Sequence, residues 1–394
     1  MAIAQHDLKG NVLKKLLKQN PSHFREVLKK AKQHRLQIIY TQIDRDAQNV
    51  PSFKSHSYRA DKNEYFYPAS LVKLPVATLA LEKLREIQKE VSVIDQYTQI
   101  NFGASRPAQT AEIQDSSTVK GYPSIALYIK KALIVSDNDA YNRLYEFLGQ
   151  GYIQRKLGEK GYNNSLIAHR LSRPIFEEEE ERHTNPCAFV IDSQIVWQQT
   201  PLYNPLPHTI TGKKMKVGKA YYKKGDLINT PCNFKGRNYM PLPEMQRMLQ
   251  AIVFPESLPP SQRFALQESD YQLLLENMGV YPRYSLEPTY QESYHNDNFM
   301  KYFLRDTVAP PHLRILNKVG MAFGFLIDNA YVMDIEARTE YMLSVVIYAN
   351  ADETLNDDKY EYETVSKPFM QNLAEVISTY EKQRTRKYKP ILQK

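Results

Sequence analysis

The chain has 394 residues, of which 42% are hydrophobic and 24% charged, and a formal net charge of +8. That is ordinary globular composition, enough for one large domain or two lobes with real cores. No apolar run is long enough to span a bilayer. Cys187 and Cys232 have no histidines at zinc-ligand spacing, and no nucleic-acid motif accompanies the positive charge.

Residues 7–34 have the apolar spacing of helices, with a break at Asn20-Pro21-Ser22, where Ser22 can cap the second segment. The stretch 36–43 is rich in β-branched and aromatic residues and predicts a strand, and 52–58 alternates enough for a second. Residues 71–84 are apolar nearly all round, the mark of a buried helix, and Pro75 falls in its first turn, where a missing N–H costs least. After a mixed polar stretch at 90–120, helices are predicted over 124–135 and 139–148, and a turn-rich connection over 149–164. An acidic run, Glu177–Glu181, leads to Arg182-His183-Thr184-Asn185. Residues 187–238 show no sustained period and read as an irregular insertion with room for a hairpin; its tyrosines (Tyr203, Tyr221, Tyr222, Tyr239) read as scaffold. Helices follow at 241–253 and 261–278, then three strands at 313–318, 325–333 and 341–348, and a closing helix at 361–381. Strands at both ends and helices between them describe an α+β fold. Residues 1–62 and 306–394 would form a sheet lobe, with an antiparallel sheet flanked by terminal helices, and 63–305 an inserted helical lobe.

Ser70-Leu71-Val72-Lys73 opens the buried helix. A serine and a lysine three apart share one helix face. A serine hydroxyl is a poor nucleophile until a base takes its proton, and a lysine shielded from water can lose enough pKa to do so. A second S-x-x-K, Ser117-Thr118-Val119-Lys120, lies in a polar stretch and lacks that setting. Downstream, Ser136-Asp137-Asn138 falls between two helices, and Lys318-Val319-Gly320 lies on a late strand. A rival, Lys216-Val217-Gly218, leads into no strand pair.

S-x-x-K, S-D-N and K-T-G in this order are the signature set of class A β-lactamases and penicillin-binding proteins, and the chain resembles that superfamily from its first helix to its last, apart from the insertion. The resemblance implies a serine hydrolase with Ser70 as nucleophile and Lys73 as base. Ser136 and Lys318 would carry a proton to the leaving nitrogen, and Asn138 would hold the substrate amide. The backbone N–H groups of Ser70 and Met321, just beyond Gly320, would form the oxyanion hole. Glu181 and Asn185 fit the Glu-x-x-x-Asn pattern whose Glu activates the deacylating water and whose Asn holds it. Two departures stand out. Thr184 replaces the usual Leu, and Val319 replaces a Thr or Ser whose hydroxyl binds a lactam carboxylate, a loss of about 1.5–3 kcal/mol. The resemblance further implies an amide, β-lactam or peptidoglycan-derived small-molecule substrate, no cofactor or metal, no nucleic acid, a monomer, and a periplasmic or secreted location. Ala2-x-Ala4 at the start of the chain resembles the end of a trimmed export signal.

Overall fold

The computed structural model describes residues 10–172, 179–206, 215–291 and 295–392. Ala2-x-Ala4 and the first two glutamates of the acidic run lie outside them. Helices α1 (Val12–Gln19) and α2 (Pro21–Lys29) form as the spacing predicts. Their junction differs: Asn20, not Ser22, precedes α2, and Pro21 takes its first position. Strands β1 (Gln37–Arg45) and β2 (Pro51–Tyr58) follow, then one 3₁₀ turn (Ala69–Val72) and the buried helix α3 (Lys73–Gln88). The short strand β3 (Gln99–Phe102) interrupts the polar stretch, and α4 (Ile125–Ile134) and α5 (Asn138–Leu148) flank the Ser136 turn.

The connection at 149–164 is not merely turns: it holds α6 (Gln150–Glu159). Gly151 and Gly158 weaken its helical signal, and the complete burial of Ile153 and Leu157 supplies what propensity lacks. The insertion is also more ordered than its sequence reads. Strands β4 (Cys187–Ile191) and β5 (Gln194–Gln199) form a hairpin that pairs with β3. Further on lie β6 (Lys216–Val217), β7 (Ala220–Lys223), β8 (Asp226–Ile228) and β9 (Cys232–Asn233). Strands of two to six residues on half-exposed surfaces leave too few periods to read. Cys187 and Cys232 are both free thiols.

Helix α7 (Leu242–Val253) is as predicted; α8 (Glu268–Gly279) begins later, where Gln267 and Asp270 form a reciprocal capping box. The chain ends with β10 (Leu313–Ala322), β11 (Phe325–Asp334), β12 (Thr339–Tyr348), the two-residue β13 (Thr354–Leu355), a π turn at Tyr362–Ser366 and α9 (Lys367–Gln383).

The main sheet is antiparallel throughout, in the order β10-β11-β12-β1-β2, so β10 is an edge strand. Both of its faces are covered. One core joins Ile39, Ile43, Ile327 and Val346 to α3–α8, and the other joins Ile38, Tyr40, Leu343 and Val345 to α1, α2 and α9. Although Gln37, Thr41 and Gln42 break up its apolar run, the apolar residues of β1 divide between the two cores, Ile39 and Ile43 on one face and Ile38 and Tyr40 on the other. Each such side chain contributes about 1.5–3 kcal/mol when fully buried.

Candidate active site

Three segments meet at the turn that carries Ser70. Ala69 adopts a left-handed backbone (φ +48°), which lets the 3₁₀ turn deliver Ser70 at the start of α3. Edge strand β10 presses against this turn. A Cβ on Gly320 would come within 2.4 Å of the Pro68 carbonyl oxygen and 2.9 Å of Leu71, so only glycine permits the approach. Ser136, also left-handed (φ +61°), sits in the turn before α5, where Asp137 caps the helix by accepting the Ala140 amide at 2.8 Å. Such conformations cost non-glycine residues on the order of 1–3 kcal/mol each and persist where packing enforces them.

These turns converge on Lys73. Its Nζ lies 2.8 Å from Ser70 Oγ, 3.0 Å from Ser136 Oγ and 2.6 Å from Asn138 Oδ1, and it also donates to the Ser136 carbonyl. An ammonium has three hydrogens for these four oxygens. Lys73 is fully buried. Burial, with the like charge of Lys318, pushes its pKa well below the usual lysine value, against a weaker pull from Asp137. From β10, Lys318 Nζ donates to Ser136 Oγ at 2.8 Å. Burial lowers the Lys318 pKa to about 7, with Asp328 opposing and Lys301 adding to the shift. One hydroxyl thus stands between two desolvated amines.

The remaining predicted residues are disposed differently. Glu181 is buried; its Oε2 accepts from the Arg170 amide at 2.9 Å and from its guanidinium at 3.1 Å. Burial raises the Glu181 pKa, and Arg170 works against that. Its neighbours pair outward instead, Glu180 with Arg106 and Glu179 with Arg182. Asn185 is fully buried, donating to the carbonyls of Gly103 (2.6 Å) and Thr110 (2.9 Å). Its Oδ1 is buried without a partner among the described residues. His183 stacks on Tyr203 (ring centroids 4.5 Å apart) and faces Glu179. Met321 lies at the end of β10 with its side chain 47% exposed.

The side chain of Val319 is not on the Lys318 face. It is buried in the core shared with the terminal helices, opposite Asp328 on β11. The decoy Ser117 closes a turn by donating to Asp115 at 2.6 Å, and Lys216 starts the two-residue β6. Tyr239 of the insertion is buried and donates to the Lys62 carbonyl.

Sequence reasoning missed several residues around this centre. Ser172, left-handed at φ +51°, accepts from Asn138 Nδ2 at 2.7 Å and so completes the hold on that amide. Arg170 bridges Glu181 and Glu146. Lys301 donates to Asn317, and Asn317 in turn to Asp328, behind β10. None belongs to a short motif, and the charges of Arg170 and Lys301 stand among other charged residues nearby, so nothing in the sequence singles them out.

Residues 22–206 match the model of the Beta-lactamase enzyme family. The match and the α+β fold support the superfamily of β-lactamase- and transpeptidase-like serine hydrolases, the one the three motifs resemble. The matched span takes in Ser70, Lys73, the Ser136 turn and Glu181; Lys318 lies beyond it. Among solved structures, the chain is similar to a beta-lactamase from Desulfarculus baarsii DSM 2075, at 15% identity and a TM-score of 0.47, covering 95% of this chain and 98% of that one. A beta-lactamase from Burkholderia ambifaria gives 15% identity, a TM-score of 0.46 and coverages of 90% and 97%. One from Xanthomonas campestris pv. campestris str. ATCC 33913 gives 14%, 0.48, and 93% and 97%. No curated protein matches the sequence.

Proposed function

We propose that the protein is a serine hydrolase that acts through a Ser70 acyl-enzyme on a small amide, with β-lactam hydrolysis as the leading specific activity. The reading is carried by one observation: Lys73 Nζ lies within 3.0 Å of the hydroxyls of both Ser70 and Ser136, and Lys318 closes on Ser136 from the other side. Neutral Lys73 takes the Ser70 proton as Oγ bonds to the carbonyl carbon. The Ser70 and Met321 N–H groups meet the oxyanion as it forms. The proton then passes by way of Ser136 to the leaving nitrogen, the C–N bond breaks, and Lys318 offsets negative charge on the departing side. Deacylation needs a base for water. Glu181 supports that role because Arg170 holds one carboxylate oxygen while the other takes no hydrogen bond from the described residues. The orphaned Oδ1 of Asn185 is an acceptor for the same water. An exported, periplasmic or secreted location belongs to this reading; among the described residues, no helix is long and apolar enough to cross a membrane.

Intact-mass spectrometry with benzylpenicillin tests it. The unaltered protein is expected to show a Ser70 adduct that is soon lost, and Glu181→Gln to accumulate it, with deacylation slowed about 10²–10⁴-fold. Normal turnover by that variant would remove Glu181 from the mechanism. A lasting adduct on the unaltered protein would favour a peptidoglycan D,D-peptidase or related amidohydrolase. No adduct at all would leave a catalytically silent ligand-binding protein.

The pH profile is a second check. Acylation needs Lys73 neutral, so the rate rises as pH passes its lowered pKa. It needs Lys318 charged, so the rate falls as pH rises through about 7. Arginine stays protonated throughout, and Lys318→Arg is expected to move the falling limb up by more than about one pH unit. A limb that stays in place would show that another group sets it.

A further inference from the structure

The insertion reaches the nucleophile turn through one short segment. Phe234 packs on Tyr67, three residues before Ser70, with ring centroids 5.6 Å apart, and on Phe323, two residues beyond Met321, at 5.4 Å. Tyr67 and Phe323 touch each other at 5.2 Å. Asn238 ties down the other end of the segment: its Oδ1 accepts the amides of Ala168 (2.8 Å) and His169 (3.2 Å). His169 stacks nearly parallel on Tyr67, and the next residue, Arg170, holds Glu181.

Arg237 lies between these anchors. Its amide donates to the Phe234 carbonyl at 3.0 Å, which fixes its backbone, while its side chain is exposed and pairs with no described residue. The segment that carries it is pinned on one side to the turn before Ser70, through Phe234 on Tyr67, and on the other to the residues just before Arg170, the partner of Glu181. In the mechanism proposed above, the leaving nitrogen takes its proton from Ser136, and the departing half of the substrate lies by Ser136 and Lys318. The acyl half must extend the other way, past Asn138 and Ser172 toward Glu181. A guanidinium on this segment, with no partner among the described residues and the Tyr67–Phe234–Phe323 rings at the segment's start, has the planar donor fork that suits a carboxylate.

We propose that Arg237 is the cationic end of an acyl-side subsite, backed by Tyr67, Phe234 and Phe323, that receives a carboxylate borne on the acyl portion of the substrate. The proposal rests on the Ser70 acyl-enzyme reading. It makes the insertion part of the specificity machinery, and it puts anion recognition on the acyl side of Ser70, away from Lys318.

The test compares benzylpenicillin with its α-carboxy derivative, which share one nucleus and differ by one acyl-side carboxylate. Rates of Ser70 acylation are read by intact mass at low ionic strength for the full chain and for Arg237→Gln and Arg237→Lys. Arg237→Gln is expected to lower the ratio of the two rates, carboxylated over plain, by about tenfold or more, the size of a charge-assisted hydrogen bond. Arg237→Lys is expected to keep part of it, and added salt to shrink it in the unaltered protein. A ratio that Arg237→Gln leaves unchanged while both compounds still acylate Ser70 overturns this proposal alone. No adduct with either compound removes the acyl-enzyme reading and the subsite with it.

Discussion

Replacing Lys73 by methionine is expected to slow Ser70 acylation by about 10²–10⁴-fold, the usual worth of a positioned general base. Methionine keeps most of the side chain's length and bulk in a position that is fully buried, so the core should stay filled. The change removes the amine from four oxygens at once: the hydroxyls of Ser70 and Ser136, the Ser136 carbonyl and Asn138 Oδ1. An acceptor left without a donor costs about 1–3 kcal/mol, and release from burying an amine offsets part of that. Melting temperature should therefore move far less than activity does. Stopped-flow acylation beside a thermal melt separates the two effects. A variant that still acylates at the original rate would mean that some other base takes the Ser70 proton.

Gly320→Ala should impair both stability and acylation, although its side chain would touch no substrate. The added Cβ would stand 2.4 Å from the Pro68 carbonyl oxygen in the Ser70 turn and 3.4 Å from Ala69 Cβ. A carbonyl oxygen in a packed turn cannot swing aside as a flexible side chain would. Either β10 or the turn must shift, and overpacking of this kind costs about 1–3 kcal/mol. The shift separates Ser70 from Met321 and Lys318 on the strand. A displacement near 1 Å can cost about 10²-fold in rate. Calorimetry and the acylation rate should fall together; unaltered acylation would show that the strand's approach does not set the reacting geometry.

The parts of this centre that were legible in the sequence are those whose chemistry restricts residue type over a short span. Ser70 and Lys73 are fixed by helical spacing, and Ser136 and Asn138 by a capping turn. Lys318 lies on a strand whose hydrophobic pattern was clear. The strand reading also held a signal that went unused. Neighbours on a strand face opposite ways, so Lys318 toward the helices puts Val319 toward the other core. Of the last glutamates in the acidic run, only Glu181 is buried on Arg170; Glu179 and Glu180 pair outward. Spacing from Asn185 picked it out, but its ion pair could not be read because Arg170 lies eleven residues away in no regular element. The left-handed turns at Ala69 and Ser136 were hidden for a related reason. Neither is glycine, and the packing that enforces them comes from elsewhere in the chain.

Those turns have a consequence for how this protein can change. Ala69, Ser136 and Ser172 all hold positive φ, and all lie at or beside the Ser70–Lys73–Asn138 centre. Glycine would relax each of them by about 1–2 kcal/mol. Selection for heat resistance and selection for turnover would therefore pull in opposite directions at the same few positions. On the proposed acyl-enzyme reading, a descendant that lost the reaction would be expected to drift toward glycine there first, so the identity of these residues in any variant serves as a gauge of whether the Ser70 centre is still in use.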